Sequence, residues 1–169
     1  VASDSGTSPE DDSNEPFSIA SSGLDYYVND LAAGGDVFSI AAGDNAHDGK
    51  SAATPMHSLH GLLNAYHLAP NDVVHVDTGE YRVYRELALD ALDSGVRIEG
   101  PSSSIALLQR GNQNSGRHLF LLRDANDVTL GSLAIAGAHD GVHRNARHSV
   151  IRGNTVFGAL VHFFGADLN

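Results

Sequence analysis

Asp124–Gly137 reads DANDVTLGSLAIAG, and 21 residues further on Asn145–Gly158 reads NARHSVIRGNTVFG. Laid over one another, Ala125 meets Ala146, Leu130 meets Ile151, Ile135 meets Val156 and Gly137 meets Gly158, and a polar turn opens each copy. A third, partial copy begins at Val161 and runs into Ala166-Asp167-Leu168-Asn169. An earlier one around Val96-Arg97-Ile98-Glu99-Gly100 fits only with an insertion. A period near 21 that holds several short apolar runs is the pattern of a β-solenoid, in which each coil buries its inward side chains only by stacking on the next. The competing reading is chance self-similarity in a Gly-rich β sandwich.

Outward from the repeat, strand-like pieces recur between Gly, Asn, Asp and Ser. They are Leu87–Leu89, Val96–Ile98, Ile105–Leu108, Leu119–Leu122, Val128–Leu130, Leu133–Ile135, Val150-Ile151 and Thr155-Val156. Further towards the N-terminus, Tyr26–Val28, Asp36–Ile40 and Val73–Val76 read as strands. One amphipathic helix is expected over 55–68, with Thr54 as N-cap, Pro55 at N1, and Met56, Leu59, Leu62, Leu63 and Tyr66 on its apolar face. The expected fold class is therefore all-β: a right-handed parallel β-helix with one N-terminal capping α-helix. Its parts are an acidic low-complexity leader (1–22), a cap (23–81) and coils (82–169) open at the C-terminal end.

Composition narrows the function classes. The chain has 169 residues, 41% of them hydrophobic, and a net charge of −11. Residues 1–50 carry −9 of that charge and residues 51–169 the remaining −2. Such a balance argues against a nucleic-acid backbone as partner. With no Cys, disulfides, thiolate metal sites and a Cys nucleophile are excluded. No apolar run has the length of a membrane span. A chain that starts at Val1 is expected to be a processed or trimmed product.

Tyr26-Tyr27-Val28, then GDNAHDGKSAATPMHSLHGLL (Gly43–Leu63), then DVVHVDTGEY (Asp72–Tyr81), together resemble the N-terminal entrance of right-handed parallel β-helix proteins of the pectate-lyase-like superfamily. In that group a Gly-x-Asp-x-x-x-Asp-Gly loop leads to Thr-Pro, an amphipathic helix plugs the end, and a strand ending in Gly-x-Tyr begins the first coil. Gly95–Gly100 and Ser149–Asn154 are similar to the family's coils. The resemblance spans about residues 24–169. It implies a fold rather than one activity, because the superfamily includes lyases, epimerases, hydrolases and non-catalytic surface proteins. Its enzymes have more coils than this chain supplies, and their catalytic motifs are not matched. The repeat stops within a coil at Asn169, so the expectation is a fragment of a longer protein or a subunit whose open end another copy covers.

Three groups of residues carry candidate chemistry. Asp44 and Asp48, on a Gly-flanked loop, have the oxygen donors a Ca²⁺ ion prefers; the same residues also suit a turn bonded to its own backbone. His57, His60, Asn64 and His67 share the polar face of the expected helix, where His57 and His60 have the spacing of a Zn²⁺ or Ni²⁺ pair or simply face solvent. His139, Asp140, His143, Arg144, Arg147, His148, Arg152 and His162 make a third cluster. On stacked strands it could bind a polysaccharide, or serve β-elimination with His143 or Arg144 as base and Asp140 and Arg147 in support. Aligning His143 with Leu122 instead places it inward, as a core histidine. Lys50, the only lysine, lies in the entrance loop and is a poor candidate base. For sugar stacking Tyr81 and Tyr84 stand out in a chain without Trp, with His139 and His162 as further ligand-binding candidates.

The expected function is a non-catalytic extracellular or cell-surface β-solenoid module, structural in role, stacking on further coils or other subunits as a homo-oligomer or fibre. The alternatives are the N-terminal part of a polysaccharide lyase or uronate C5-epimerase, and a polysaccharide-binding module. No cofactor beyond Ca²⁺ is suggested.

Overall fold

The structure is a computed structural model and describes residues 23–157 and 160–163. The leader 1–22 and the end of the third repeat copy lie outside the described residues. Among the described residues the fold is predominantly β, with parallel sheets and one α-helix, α1 (Leu59–Ala65). The strands in chain order are β1 (Asp25–Val28), β2 (Val73–Val76), β3 (Gly79–Arg82), β4 (Leu87–Leu89) and β5 (Arg97–Glu99). They continue with β6 (Ala106–Asn112), β7 (His118–Arg123), β8 (Thr129–Gly131), β9 (Ala134–Ala138) and β10 (Asp140–Asn145). The last three are β11 (Val150–Arg152), β12 (Thr155–Phe157) and β13 (Leu160–Phe163).

From β2 onward the chain visits three sheets in rotation. The first holds β1-β2-β5-β8-β11, the second β3-β6-β9-β12 and the third β4-β7-β10-β13. Every ladder among them is parallel. Strands this short bury little by themselves, so their inward side chains are aligned in columns. Tyr26, Val74, Ile98, Leu130 and Ile151 share one register position in the first sheet. Tyr81, Leu108 and Ile135 do so in the second, and Leu87, Phe120 and Val142 in the third. Val74, Ile98, Leu130, Leu108, Ile135 and Phe120 are fully buried and belong to one continuous core. The repeat alignment is thus realised where it pairs Leu130 with Ile151 and Ile135 with Val156. The polar turns stack as well. Asn154 accepts from Leu133 N–H at 2.8 Å and donates to the Leu130 carbonyl at 2.9 Å, tying two successive turns together.

Two expected elements are corrected. The helix is shorter than 55–68: it starts at Leu59, capped by Ser58, whose hydroxyl accepts from Gly61 N–H. Pro55 and Met56 are held outside it. The Pro55 carbonyl accepts from Asp44 N–H, and Met56 pairs with β1 through Met56 N–H to Tyr27 O and Asn29 N–H to Met56 O. A helix cannot begin while those groups are bonded to a strand. With seven residues, α1 depends on Leu59 and Leu62 packing onto the core rather than on intrinsic helicity.

Asp36–Ile40 is not a strand. Three of its N–H groups are taken by one buried carboxylate: Asp77 accepts from Val37 at 2.7 Å, Phe38 at 2.9 Å and Ser39 at 2.6 Å, and also from Thr78 at 2.7 Å, while Ile40 N–H donates to the Ala52 carbonyl. The fully buried Asn29 holds the other side of this loop, donating to Asp36, Ala32 O and Ala41 O. Burial pushes the Asp77 carboxyl up, but the four donated N–H bonds outweigh it and hold its pKa below the usual carboxylate range. Asp36 is pushed the other way, by burial and by the charges of Asp77 and Asp30, against the Asn29 contact.

Two outcomes follow from this packing. Leu130→Ala removes the centre of a column with neighbours on both sides and is expected to cost about 2–5 kcal/mol in urea unfolding. A carboxylate with a lowered folded pKa contributes stability above its unfolded value, near 3.9, that is lost as pH falls through the folded value. Wild-type stability should therefore drop on acidification below about pH 4. Asp77→Asn should be less stable at neutral pH and lose less on acidification, as read by denaturant melts across the pH range.

Candidate functional site

The described structure brings together three residues of the third sheet, His118, Asp140 and His143, and His139 from the bend just before β10. Parallel pairing of β7 with β10 sets His118 beside Asp140 and Leu121 beside His143. The Asp140 carboxylate is almost wholly buried and receives both neighbouring imidazoles: His118 Nδ1 at 2.8 Å on Oδ2 and His139 Nδ1 at 2.8 Å on Oδ1. The His118 and His143 rings are stacked with centroids 4.3 Å apart and planes 28° from parallel. One donor atom from each of His118, Asp140 and His143 lies within 4.8 Å of the others, and this is the one such group of three among the described residues. Because two adjacent strands supply it, the cluster is fixed by backbone pairing rather than by a loop.

His143 is not a core histidine. A uniform 21-residue offset would set it beside Leu122, but in this ladder the offset is 22, and Leu122 pairs with Arg144 instead. Side chains alternate faces along a strand, so one residue of slip changes which face His143 takes. It is half-buried, against the ring of His118. Asp124 sits at φ 59 just after β7, where the count returns to the 21-residue spacing that stacks Asn126 beneath Arg147. Arg144 occupies the Leu122 position, and its Nη1 donates to the Ser149 carbonyl at 3.3 Å. Arg147 lies on the exposed turn, its main-chain N–H on the Asn126 side chain. His162 is in backbone register with His143 through β13.

His118 was missed in the sequence because the repeat comparison begins beyond it, at Asp124. The signal was there: 21 residues after His118 comes His139. Arg110 was missed too. This buried cation donates to the Tyr84, Val83 and His118 carbonyls, at 2.7, 3.3 and 3.0 Å, and so links the cluster to a groove on the neighbouring surface.

That groove is a cleft of about 670 Å³ between α1 and β3, lined among others by His57, His60, Glu80, Arg82, Tyr84 and Arg85. A second hollow of about 400 Å³ shares His60, Tyr84 and Arg85 with it and adds Glu86, Arg110 and Arg117. His57 and His60 thus face a cleft rather than simply open solvent. Tyr84 is 80% exposed at the junction of the two. Arg85 and Arg117 are exposed and have no carboxylate within ion-pair distance among the described residues.

Tyr81 is corrected as a sugar platform. It is 4% exposed, its hydroxyl donates to the Asp77 carbonyl at 2.9 Å, and burial raises its pKa far above the ordinary tyrosine value. A ring enclosed in the core has no face to offer a ligand. Asp44 and Asp48 act as turn residues. Asp44 accepts from Ala46 N–H, and Asp48 from the Thr54 hydroxyl and Lys50 N–H, which hold its carboxyl below the usual range. Both carboxylates are turned back on their own loop, an arrangement that accounts for them without Ca²⁺.

Asp140→Ala would leave two imidazoles without their carboxylate and should cost about 1–3 kcal/mol in urea unfolding, whereas exposed Arg147→Ala should change stability by less than about 0.5 kcal/mol. Comparison with family models, curated proteins and solved structures gives no match to this chain. Among the described residues no helix is long and apolar enough to cross a membrane.

Proposed function

We propose that the chain is a stretch of right-handed parallel β-helix that acts as a non-catalytic scaffold outside the cell or on its surface and binds a polysaccharide along the groove centred on Tyr84. The solenoid reading is supported by the rotation of successive strands through three parallel sheets and by the aligned apolar columns. Right-handedness rests on the general preference of parallel crossovers. Such a scaffold can join further coils or other copies of itself end to end, because each layer presents the next with strand edges and an apolar rim.

The single observation that carries the binding role is the solvent-exposed Tyr84 ring between two confluent hollows, flanked by Arg85 and Arg117. An aromatic face offers apolar area to the C–H side of a sugar ring, and guanidinium and carboxylate groups around it can bond hydroxyls in pairs. The groove mixes Asp30, Glu80 and Glu86 with its arginines, and the whole chain is acidic, so the ligand favoured is neutral or weakly charged rather than a dense polyanion.

Electrophoresis of the chain through gels containing neutral glucans or mannans, or alginate or pectin, tests this. Retardation by a neutral polymer is expected. Tyr84→Ala should weaken it about tenfold, equivalent to about 1.4 kcal/mol. No retardation by any polymer would remove the reading. The appearance of unsaturated or epimerised uronate ends after incubation with alginate or pectin would replace it with the lyase or epimerase alternative.

A further inference from the structure

We propose that His118, Asp140 and His143 form a binding site for a divalent transition-metal ion of the Zn²⁺ type. The donor chemistry selects the ion: two imidazoles and one carboxylate suit Zn²⁺, Co²⁺, Ni²⁺ or Cu²⁺, whereas Ca²⁺ and Mg²⁺ require more oxygen than these residues supply.

The geometry is close to what such an ion needs. Neighbouring donors on a tetrahedral Zn²⁺ with bonds near 2.0–2.1 Å are about 3.3 Å apart. The three donor atoms here all lie within 4.8 Å of one another. Binding would close the remaining gap by rotation of the side chains. The frame is rigid, since His118 opens β7, Asp140 opens β10, and the two strands are paired from end to end. The site is also sheltered, with side-chain exposures of 4% for Asp140 and 13% for His118. His139 supplies the supporting contact. Its Nδ1 lies 2.8 Å from Asp140 Oδ1, which fixes the carboxylate while Oδ2 faces His118. Partners of this kind orient ligands in metal sites. Three protein ligands leave a further coordination position for water or another group.

This inference uses none of the groove residues and stands apart from the polysaccharide reading. The test is titration of the full, untagged chain with ZnCl₂ by calorimetry, and with CoCl₂ by visible absorption. The expected result is about one ion per chain, with Co²⁺ bands of a low-coordinate nitrogen–oxygen site that Zn²⁺ bleaches and Ca²⁺ does not. Asp140→Asn, His118→Gln and His143→Leu should each weaken binding about tenfold or more. Position 143 tolerates leucine on packing grounds, since its strand neighbour is Leu121. His60→Gln and His67→Gln should leave binding unchanged.

Absence of stoichiometric binding overturns the proposal, as does binding that survives the three cluster variants or is lost with His60→Gln. Should the variants fail to fold, imidazole NMR signals of the unmutated chain decide it. Zn²⁺ should move the His118 and His143 resonances, and movement confined to His57, His60 or His67 overturns the site.

Discussion

A parallel strand of three residues cannot hold itself together: its N–H and C=O groups point to both sides and it has one or two side chains to bury. The constraint that governs this chain is that each such strand must lie in register on another. When Ile98 lies on Val74 and Leu130 on Ile98, the same step closes main-chain bonds and removes apolar surface from water. The turns follow the same logic, with Gly95 N–H on the Asn126 carbonyl and Asn154 bridging Leu130 and Leu133. Disorder in one layer therefore exposes both the columns and the turn bonds of the next.

This constraint also positions the chemistry. Side chains on adjacent parallel strands stand beside one another at fixed spacing, so polar residues separated by a repeat become neighbours whether or not they resemble a motif. His118 and Asp140 meet in that way, 22 residues apart. The Tyr84 groove arises differently, where the short helix and the polar segments after β3 leave the strand surface uncovered. Arg110 spans the two regions through three carbonyls, so the groove and the histidine cluster share a buried anchor.

At the N-terminal end, order is bought with side chains instead of strands. Asp77 and Asn29 gather the 29–41 loop through main-chain N–H and carbonyl groups, a role that an apolar pattern search cannot see. Asp36–Ile40 has the apolar content of a strand, yet Ile40 is 77% exposed, and the donors of Val37–Ile40 that a ladder would use are already taken. Thr54-Pro55 has the local chemistry of a helix start, but pairing of Met56 with Val28 outcompetes it. In both places a local preference worth a few tenths to one kcal/mol yields to a set of long-range bonds.

Much of the fold was legible in the sequence, because burial in stacked strands imposes a spacing on apolar residues: the 21-residue repeat and the pairing of Leu130 with Ile151 and of Ile135 with Val156 are matters of count. The candidate site was half legible. Its residue types stood out from His139 to Arg144, but their company did not. An offset of 22 instead of 21 turns His143 away from the Leu122 position, sets Arg144 there and brings in His118. Composition and periodicity determine which residues need a dry neighbour. Only the folded chain decides which polar side chains meet, since one additional residue between layers reverses a strand face at little local cost.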